Sequence, residues 1–338
     1  MKVCFCLALT LWVSDAIAAK PLFAERSVFE LTLAGPFDRI DSERDKAQEY
    51  PGTVSYNSAG EAVELDLKYT VRGNFRLQKR VCQHAQLWLD LKKNKVEGTL
   101  FEGQNKLKLV VQCRDRDTHE DYLALEEQVY RMFNLLSPIS LRTRLVRVTY
   151  RDSESGGERT HLGFIIQHQK RLARELDMDV LEVPNLPIHD LDPHQSSLVA
   201  LFMFLIANTD YSMIAGKPDE DCCHNTKPLV DAAGRVYAVP YDFDSTGYVS
   251  ANYAQVSEGL GQRSIKDRVY RGFCVDDAIL AANLATLRQQ QSAILAIAGD
   301  SSIVSQRKAK QAVRLLERSF DIINDERRLQ REVIRACR

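Results

Sequence analysis

The order of elements in this chain predicts an α+β fold in two parts: a smaller β-rich part carrying one helix, then a larger helical part. Three observations carry that expectation. Short segments of alternating apolar and polar residues fill the first half, one helical-period segment interrupts them, and beyond about residue 170 the helical period takes over.

The strands come first. Residues 28–33 alternate, and 62–71 place Val63, Leu65, Leu67 and Tyr69 on one face. Residues 87–91 and 107–111 are two further short strands, with turns at Ser58-Ala59-Gly60 and Arg72-Gly73-Asn74 between the segments. A helix is expected over 120–136, where Tyr122, Leu125, Val129, Met132, Phe133 and Leu136 recur at helical spacing until Ser137-Pro138 stops it. Strands over 145–150 and 161–167 flank a polar hairpin turn containing Gly156-Gly157. Pro184, Pro187 and Pro193 mark the crossover to the helical part. Residues 196–207 are nearly all apolar and read as a buried helix, and two long amphipathic helices follow near 276–298 and 303–336. The expected division is a targeting segment over 1–18, a mostly β part over 19–170 and a helical part over 171–338.

The targeting segment rests on Lys2, the apolar run from Val3 to Val13 and the small-x-small sequence Ala16-Ile17-Ala18, which together read as a cleaved signal peptide. That run and residues 196–207 both fall short of the roughly 20 apolar residues a membrane span needs, so no membrane anchor is expected after cleavage. The chain is therefore expected to be exported, to the periplasm or beyond the cell. The formal net charge of −1 argues against nucleic acid held by broad electrostatics. Past residue 18 six cysteines remain, an even number that in an exported chain suggests disulfides. Locality favours Cys82 with Cys113 and Cys274 with Cys337; Cys222 and Cys223 then bridge each other or reach elsewhere. Cys222-Cys223-His224 lacks the spacing of a zinc knuckle.

The chemistry concentrates in three segments. The buried helix runs into Asn208-Thr209-Asp210, His224-Asn225 follows, and a strand over 235–240 leads into Tyr241-Asp242-Phe243-Asp244. Phosphoryl transfer needs a carboxylate to take the acceptor's proton, hard oxygen ligands for a divalent metal, and a cation held by a helix carboxylate to neutralise the nucleotide phosphates. Asp210 is the candidate catalytic carboxylate, and Asn225, Asp242 and Asp244 are the candidate metal ligands. Lys106 and Lys108 share one face of a short strand. Lys108, deeper in it, is the favoured phosphate partner, with Glu126 on the helix as its counter-charge. Arg72, at Arg72-Gly73-Asn74 with Arg76 nearby, stands in for a glycine-rich phosphate loop.

These residues give the chain the outline of a protein kinase, and its motifs resemble the spore coat protein H (CotH) family of atypical kinases, in an exported bacterial branch. The resembling residues are Arg72-Gly73-Asn74, the Lys106 to Val110 strand before Cys113, Asn208-Thr209-Asp210, His224-Asn225, Pro240-Tyr241-Asp242-Phe243-Asp244 and Tyr270 to Cys274. The resemblance implies a protein-kinase-like two-lobed fold, ATP with Mg²⁺ or Mn²⁺, and phosphorylation of a protein or cell-surface acceptor. Two features depart from the kinase pattern: fifteen positions separate Asp210 from Asn225, where ordinary kinases have about five, and no glycine-rich loop is visible. Two other readings stand beside this one, a different nucleotide-dependent transferase and a non-catalytic envelope scaffold.

Overall fold

A computed structural model describes residues 21–218 and 220–338 of the chain. The targeting segment expected over 1–18 lies outside the described residues.

The elements run in this order: α1 (Pro21–Ala24), β1 (Phe29–Gly35), α2 (Phe37–Glu43), β2 (Glu49–Ser58), β3 (Glu61–Arg72), β4 (Gln86–Leu91), β5 (Lys106–Val111), α3 (Asp117–Asn134), β6 (Thr143–Asp152), β7 (Glu158–Ile166) and α4 (Gln169–Glu175). Then come β8 (Asp179–Val180), α5 (Pro193–Leu205), β9 (Thr226–Val230), β10 (Val236–Pro240), α6 (Asp277–Gln289), α7 (Gln291–Gly299), α8 (Gln306–Asn324) and α9 (Glu326–Glu332). Each expected strand and helix is present within a few residues of its expected ends, except that the last two expected helices each break into shorter ones.

The architecture corrects the expected fold. The β half is not the small open-sheet lobe of a protein kinase. It is a closed mixed barrel in the order β1-β2-β3-β4-β5-β7-β6, with β6 returning to pair in parallel with β1 from Phe29↔Val146 to Gly35↔Asp152. The helical region and a separate sheet in the order β10-β9-β8 complete the molecule. Two features of the sequence conceal this. Pro51-Gly52 interrupts the alternation of β2, although Tyr50, Val54 and Tyr56 are buried on one face of it. Closure also joins strands about 117 residues apart in the sequence, and inward–outward alternation is the same whether a sheet is open or closed.

Gly52 shows what closure requires. A Cβ there would lie 2.2 Å from Tyr69 Cε2 and 2.3 Å from the Ala34 carbonyl oxygen. The bare glycine lets Tyr69 cross the barrel interior and share its single hydroxyl proton between Ala34 O at 3.0 Å and Thr53 O at 2.9 Å. The interior is filled by Leu31, Leu33, Tyr69, Leu87, Leu89, Leu107, Leu109, Val148 and Tyr150, all buried. Removing each such side chain from water is worth about 1.5–3 kcal/mol.

A second core lies outside the barrel. β7 has Ile165 facing inward and Leu162, Phe164 and Ile166 outward, where they meet α3. α3 in turn reaches the helical region, with Phe133 5.0 Å from Phe202 of α5 and Tyr130 4.7 Å from Phe243 between ring centroids. α5 is buried on nearly every face. It starts at Asp192, whose side chain caps the Gln195 amide at 2.7 Å, with Pro193 in the first turn where its missing N–H costs nothing. No described helix is long and apolar enough to cross a membrane. Disulfides join Cys82 to Cys113, Cys222 to Cys223 and Cys274 to Cys337.

Candidate active site

A cleft of about 1010 Å³ lies between the outer wall of the barrel and the β9–β10 sheet. The barrel contributes Arg72, Trp88 and Lys108 from the ends and outer faces of β3, β4 and β5. The opposite side contributes Asp210, His224, Asn225, Lys227, Tyr241, Asp242 and Asp244.

The register of β9 and β10 brings the acidic side together. Pro240 pairs with Thr226, so the residues just outside that end, Asn225 before β9 and Tyr241-Asp242 after β10, emerge side by side. The Tyr241 amide donates to Asn225 O at 3.1 Å. Asp210 reaches the same place from the end of α5. Ala207 turns the chain at φ 52°, and Asn208 Oδ1 accepts the Asp210 amide at 2.9 Å. Arg271 clamps the next turn by donating to Thr209 O and, at 2.6 Å, to Tyr211 O. The Tyr270 to Cys274 segment is thus a brace behind Asp210, and the Cys274–Cys337 disulfide fixes it.

Asp210 and Asn225 touch. Asn225 Nδ2 donates to Asp210 O at 2.6 Å and to Asp210 Oδ2 at 3.1 Å, while His224 Nε2 lies 2.6 Å from Asp210 Oδ1. With its amide nitrogen so used, Asn225 keeps its carbonyl oxygen for a ligand. Burial pushes the Asp210 carboxyl up. The His224 hydrogen bond and charge, Lys217 and Asn225 outweigh it, so Asp210 stays ionised below the usual carboxylate range. Asn225 and Asp242 both hold left-handed backbone, at φ 51° and 61°. Asn and Asp tolerate that region better than other side chains, and such conformations collect at functional sites. The Tyr130 hydroxyl accepts the Asp242 amide at 2.9 Å and holds the turn.

The cationic side differs from expectation. Glu126 is buried on α3 as expected, but its partner is Arg76, at 3.3 Å, rather than Lys108. The same guanidinium reaches Asp242 Oδ1 at 2.9 Å and Asp244 Oδ2 at 3.1 Å. Asp244 is therefore committed to Arg76, and Asp242, 40% exposed, is the more open of the two carboxylates. Burial pushes both Glu126 and Asp244 up, and the neighbouring carboxylates add to it, against the opposing pull of the single Arg76 guanidinium. The carboxylates outweigh burial at Arg76, which stays charged.

Lys108 lines the cleft. Its ammonium lies 4.5 Å from the Tyr241 ring centroid and 5.4 Å from that of Trp88, and the Lys227 ammonium lies 4.7 Å from the same Tyr241 ring. Burial, then Arg72 and Lys227, push Lys108 down to about 7, against the pull of Asp242. Lys106 stands 5.2 Å from the Trp88 ring and does not line the cleft. Arg72 lines it but directs Nε to Leu87 O at 3.3 Å and Nη2 to Leu109 O at 3.4 Å. Arg76, expected with Arg72 to replace a phosphate loop, instead pairs with three carboxylates, and His224 and Lys227 carry no individual role in the sequence pattern. His224 was signalled only by standing beside Asn225, and Lys227 lies two residues past it.

No known protein-family profile matches the chain, and no curated protein matches it.

Proposed function

We propose that the cleft takes a nucleoside triphosphate with a divalent cation and transfers the terminal phosphoryl group to a hydroxyl of a protein or cell-envelope acceptor outside the cytoplasm. The observation that carries this is the distribution of charge in one cleft: hard oxygen donors of Asp210, Asn225 and Asp242 on the β9–β10 side, Lys108 and Arg72 on the barrel side, and Lys227 of β9 sharing the Tyr241 ring with Lys108. The donor set fits Mg²⁺ or Mn²⁺, which prefer carboxylate and carbonyl oxygens over nitrogen or sulfur. Asn225 Oδ1 and the Asp242 carboxylate would hold the ion, and it would neutralise phosphate oxygens there. The motif resemblance to the CotH kinases supports the same reaction, on a scaffold that is not theirs.

Each protein group has a role within this reading. Asp210, ionised and oriented by His224 and Asn225, accepts the proton of the attacking hydroxyl. Lys108 and Lys227 take the phosphates, and Tyr241 and Trp88 flank that position. Arg76 fixes Asp242 from behind. The signal peptide expected from the sequence and the disulfides support an extracytoplasmic setting.

The test is a thermal-shift titration with ATP and Mg²⁺, followed by incorporation of label from γ-labelled ATP. A ligand bound only by the native state at a hundred times its dissociation constant adds about 2.7 kcal/mol. Asp242→Ala should abolish the shift, and Asp210→Asn should keep the shift and lose the label. No shift with ATP and either Mg²⁺ or Mn²⁺ would refute the reading.

A further inference from the structure

A second cluster lies where β4 begins and β5 ends, and none of its three residues lines the cleft. His84 precedes β4, Asp115 precedes α3, and His161 is on β7. Both imidazoles aim the same atom at one oxygen: His84 Nε2 is 2.7 Å and His161 Nε2 2.9 Å from Asp115 Oδ1. The candidate ligand atoms of all three lie within 4.8 Å of one another.

We infer that His84, His161 and Asp115 form a binding site for a first-row divalent transition ion, with zinc the best match. Two imidazoles and one carboxylate are a borderline nitrogen and oxygen donor set, which suits zinc better than Mg²⁺ or Ca²⁺. The surroundings are those of a metal-binding histidine. Asp41 Oδ2 accepts from His84 Nδ1 at 2.9 Å, which fixes the tautomer whose Nε2 lone pair faces the ion. Asp41 is itself held by the Ala85 amide at 2.7 Å and by Arg159 at 2.9 Å. Gln83 donates to the other oxygen of Asp115 at 2.9 Å.

The backbone is prepared as well. The Cys82–Cys113 disulfide ties together the two loops that carry His84 and Asp115, and the Gln83 and His84 amides both donate to Cys113 O, at 2.8 and 3.3 Å. The imidazoles are largely buried, at 4% and 11% side-chain exposure, whereas Asp115 is 49% exposed. The fourth position of a tetrahedral ion therefore opens to solvent and takes water. Ligands about 2.05 Å from such an ion stand ~3.3 Å from one another. Admitting it opens each Nε2···Oδ1 separation by roughly half an ångström, and the exposed Asp115 is free to move by that much. The fixed charges around the cluster, the carboxylates of Asp41 and Asp115 against the Arg159 guanidinium, sum to net negative, which favours a dication that displaces the Nε2 protons.

The experiment uses the full chain without a histidine tag, stripped with a chelator. Titration with Zn²⁺ against a chromophoric indicator should find one site outside the cleft, and Co²⁺ should give the strong visible absorption of a tetrahedral site. His161→Gln and Asp115→Asn should each lower zinc affinity at least tenfold, a loss of the size that disturbing a metal shell produces. Asp242→Asn, in the cleft, should leave it unchanged. If a ligand variant fails to fold, the Co²⁺ spectrum of the unmodified chain decides alone. The proposal is overturned by no zinc binding, by binding that survives both ligand variants, or by binding lost in Asp242→Asn. Zinc binding that is absent, or that survives both ligand variants, leaves the ATP titration unaffected, so this site and the cleft fail distinguishably.

Discussion

Arg76 Nη2 meets Asp242 Oδ1 at 2.9 Å, while the rest of the same guanidinium holds Glu126 and Asp244. One cation from the loop after β3 thus ties the helix α3, the turn after β10 and the barrel rim together. Its side chain is only 11% exposed and that of Glu126 2%. Arg76→Met would leave buried carboxyls without their counter-charge. We expect a loss of about 3–5 kcal/mol, the usual result of breaking a buried pair from one side. Arg76→Lys keeps the charge but not the three-way fork and should fall between. Urea denaturation measures both. A loss below about 1 kcal/mol in Arg76→Met, the range of surface pairs, would show that Arg76 does not organise the site.

The pH dependence of stability should report Glu126 and Asp244. Burial raises both above their ordinary values of 4.5 and 3.8, so the folded chain binds more protons than the unfolded one above those values. Their contribution is complete below the ordinary carboxylate range and is lost as pH rises through the raised folded values. His119, His161 and His168, all lowered by burial, act in the opposite sense. The informative quantity is therefore the difference between wild type and Glu126→Gln. Between about pH 5 and pH 7 the variant should gain stability relative to wild type. Parallel curves would rule out a raised Glu126.

Nucleotide binding should take up a proton. Lys108, lowered to about 7, is partly neutral in the free protein just above neutrality. Triphosphate oxygens beside it favour the charged form and raise it. Calorimetry with ATP and Mg²⁺ at about pH 8 should then give a binding enthalpy that depends on the buffer's ionisation enthalpy, with uptake approaching one proton. Lys108→Met should abolish that dependence. Uptake unchanged in the variant would assign the proton to another group.

Barrel closure can be tested at Gly52. An alanine Cβ there would collide with the Tyr69 ring at 2.2 Å and with the Ala34 backbone oxygen at 2.3 Å. Backbone cannot yield as a side-chain tip can, so Gly52→Ala should cost about 2–3 kcal/mol, the upper part of the overpacking range. Tyr69→Phe loses only a hydroxyl bound to two carbonyls and should cost about 1 kcal/mol. Chemical denaturation of the two variants compares them directly, and a neutral Gly52→Ala would mean that β2 does not seat against β1 and β3 as described.

Local patterns made much of this molecule legible. The alternation in β5 places Lys106 and Lys108 opposite Leu107 and Leu109, and the apolar run of α5 identifies a buried helix that delivers Asp210. Both are properties of contiguous residues, because side-chain direction follows from backbone period. Glu126 is legible as a residue of α3 but its partner is not. Lys108 and Arg76 are equally plausible from spacing, and only the path of the loop after β3 selects Arg76.

By itself, then, the sequence determined the elements, the cysteines suited to disulfides and the residue types from which an oxygen-ligand site can be made. The tertiary structure alone decided that the strands close into a barrel, that the β9–β10 register sets Asn225 beside Asp242, and that His84, Asp115 and His161 converge. The reason is the range of the interactions. Periodicity is set by neighbours along the chain, whereas closure, register and counter-charge depend on groups dozens to more than a hundred residues apart. Their meeting is fixed by packing, such as Tyr69 passing over Gly52.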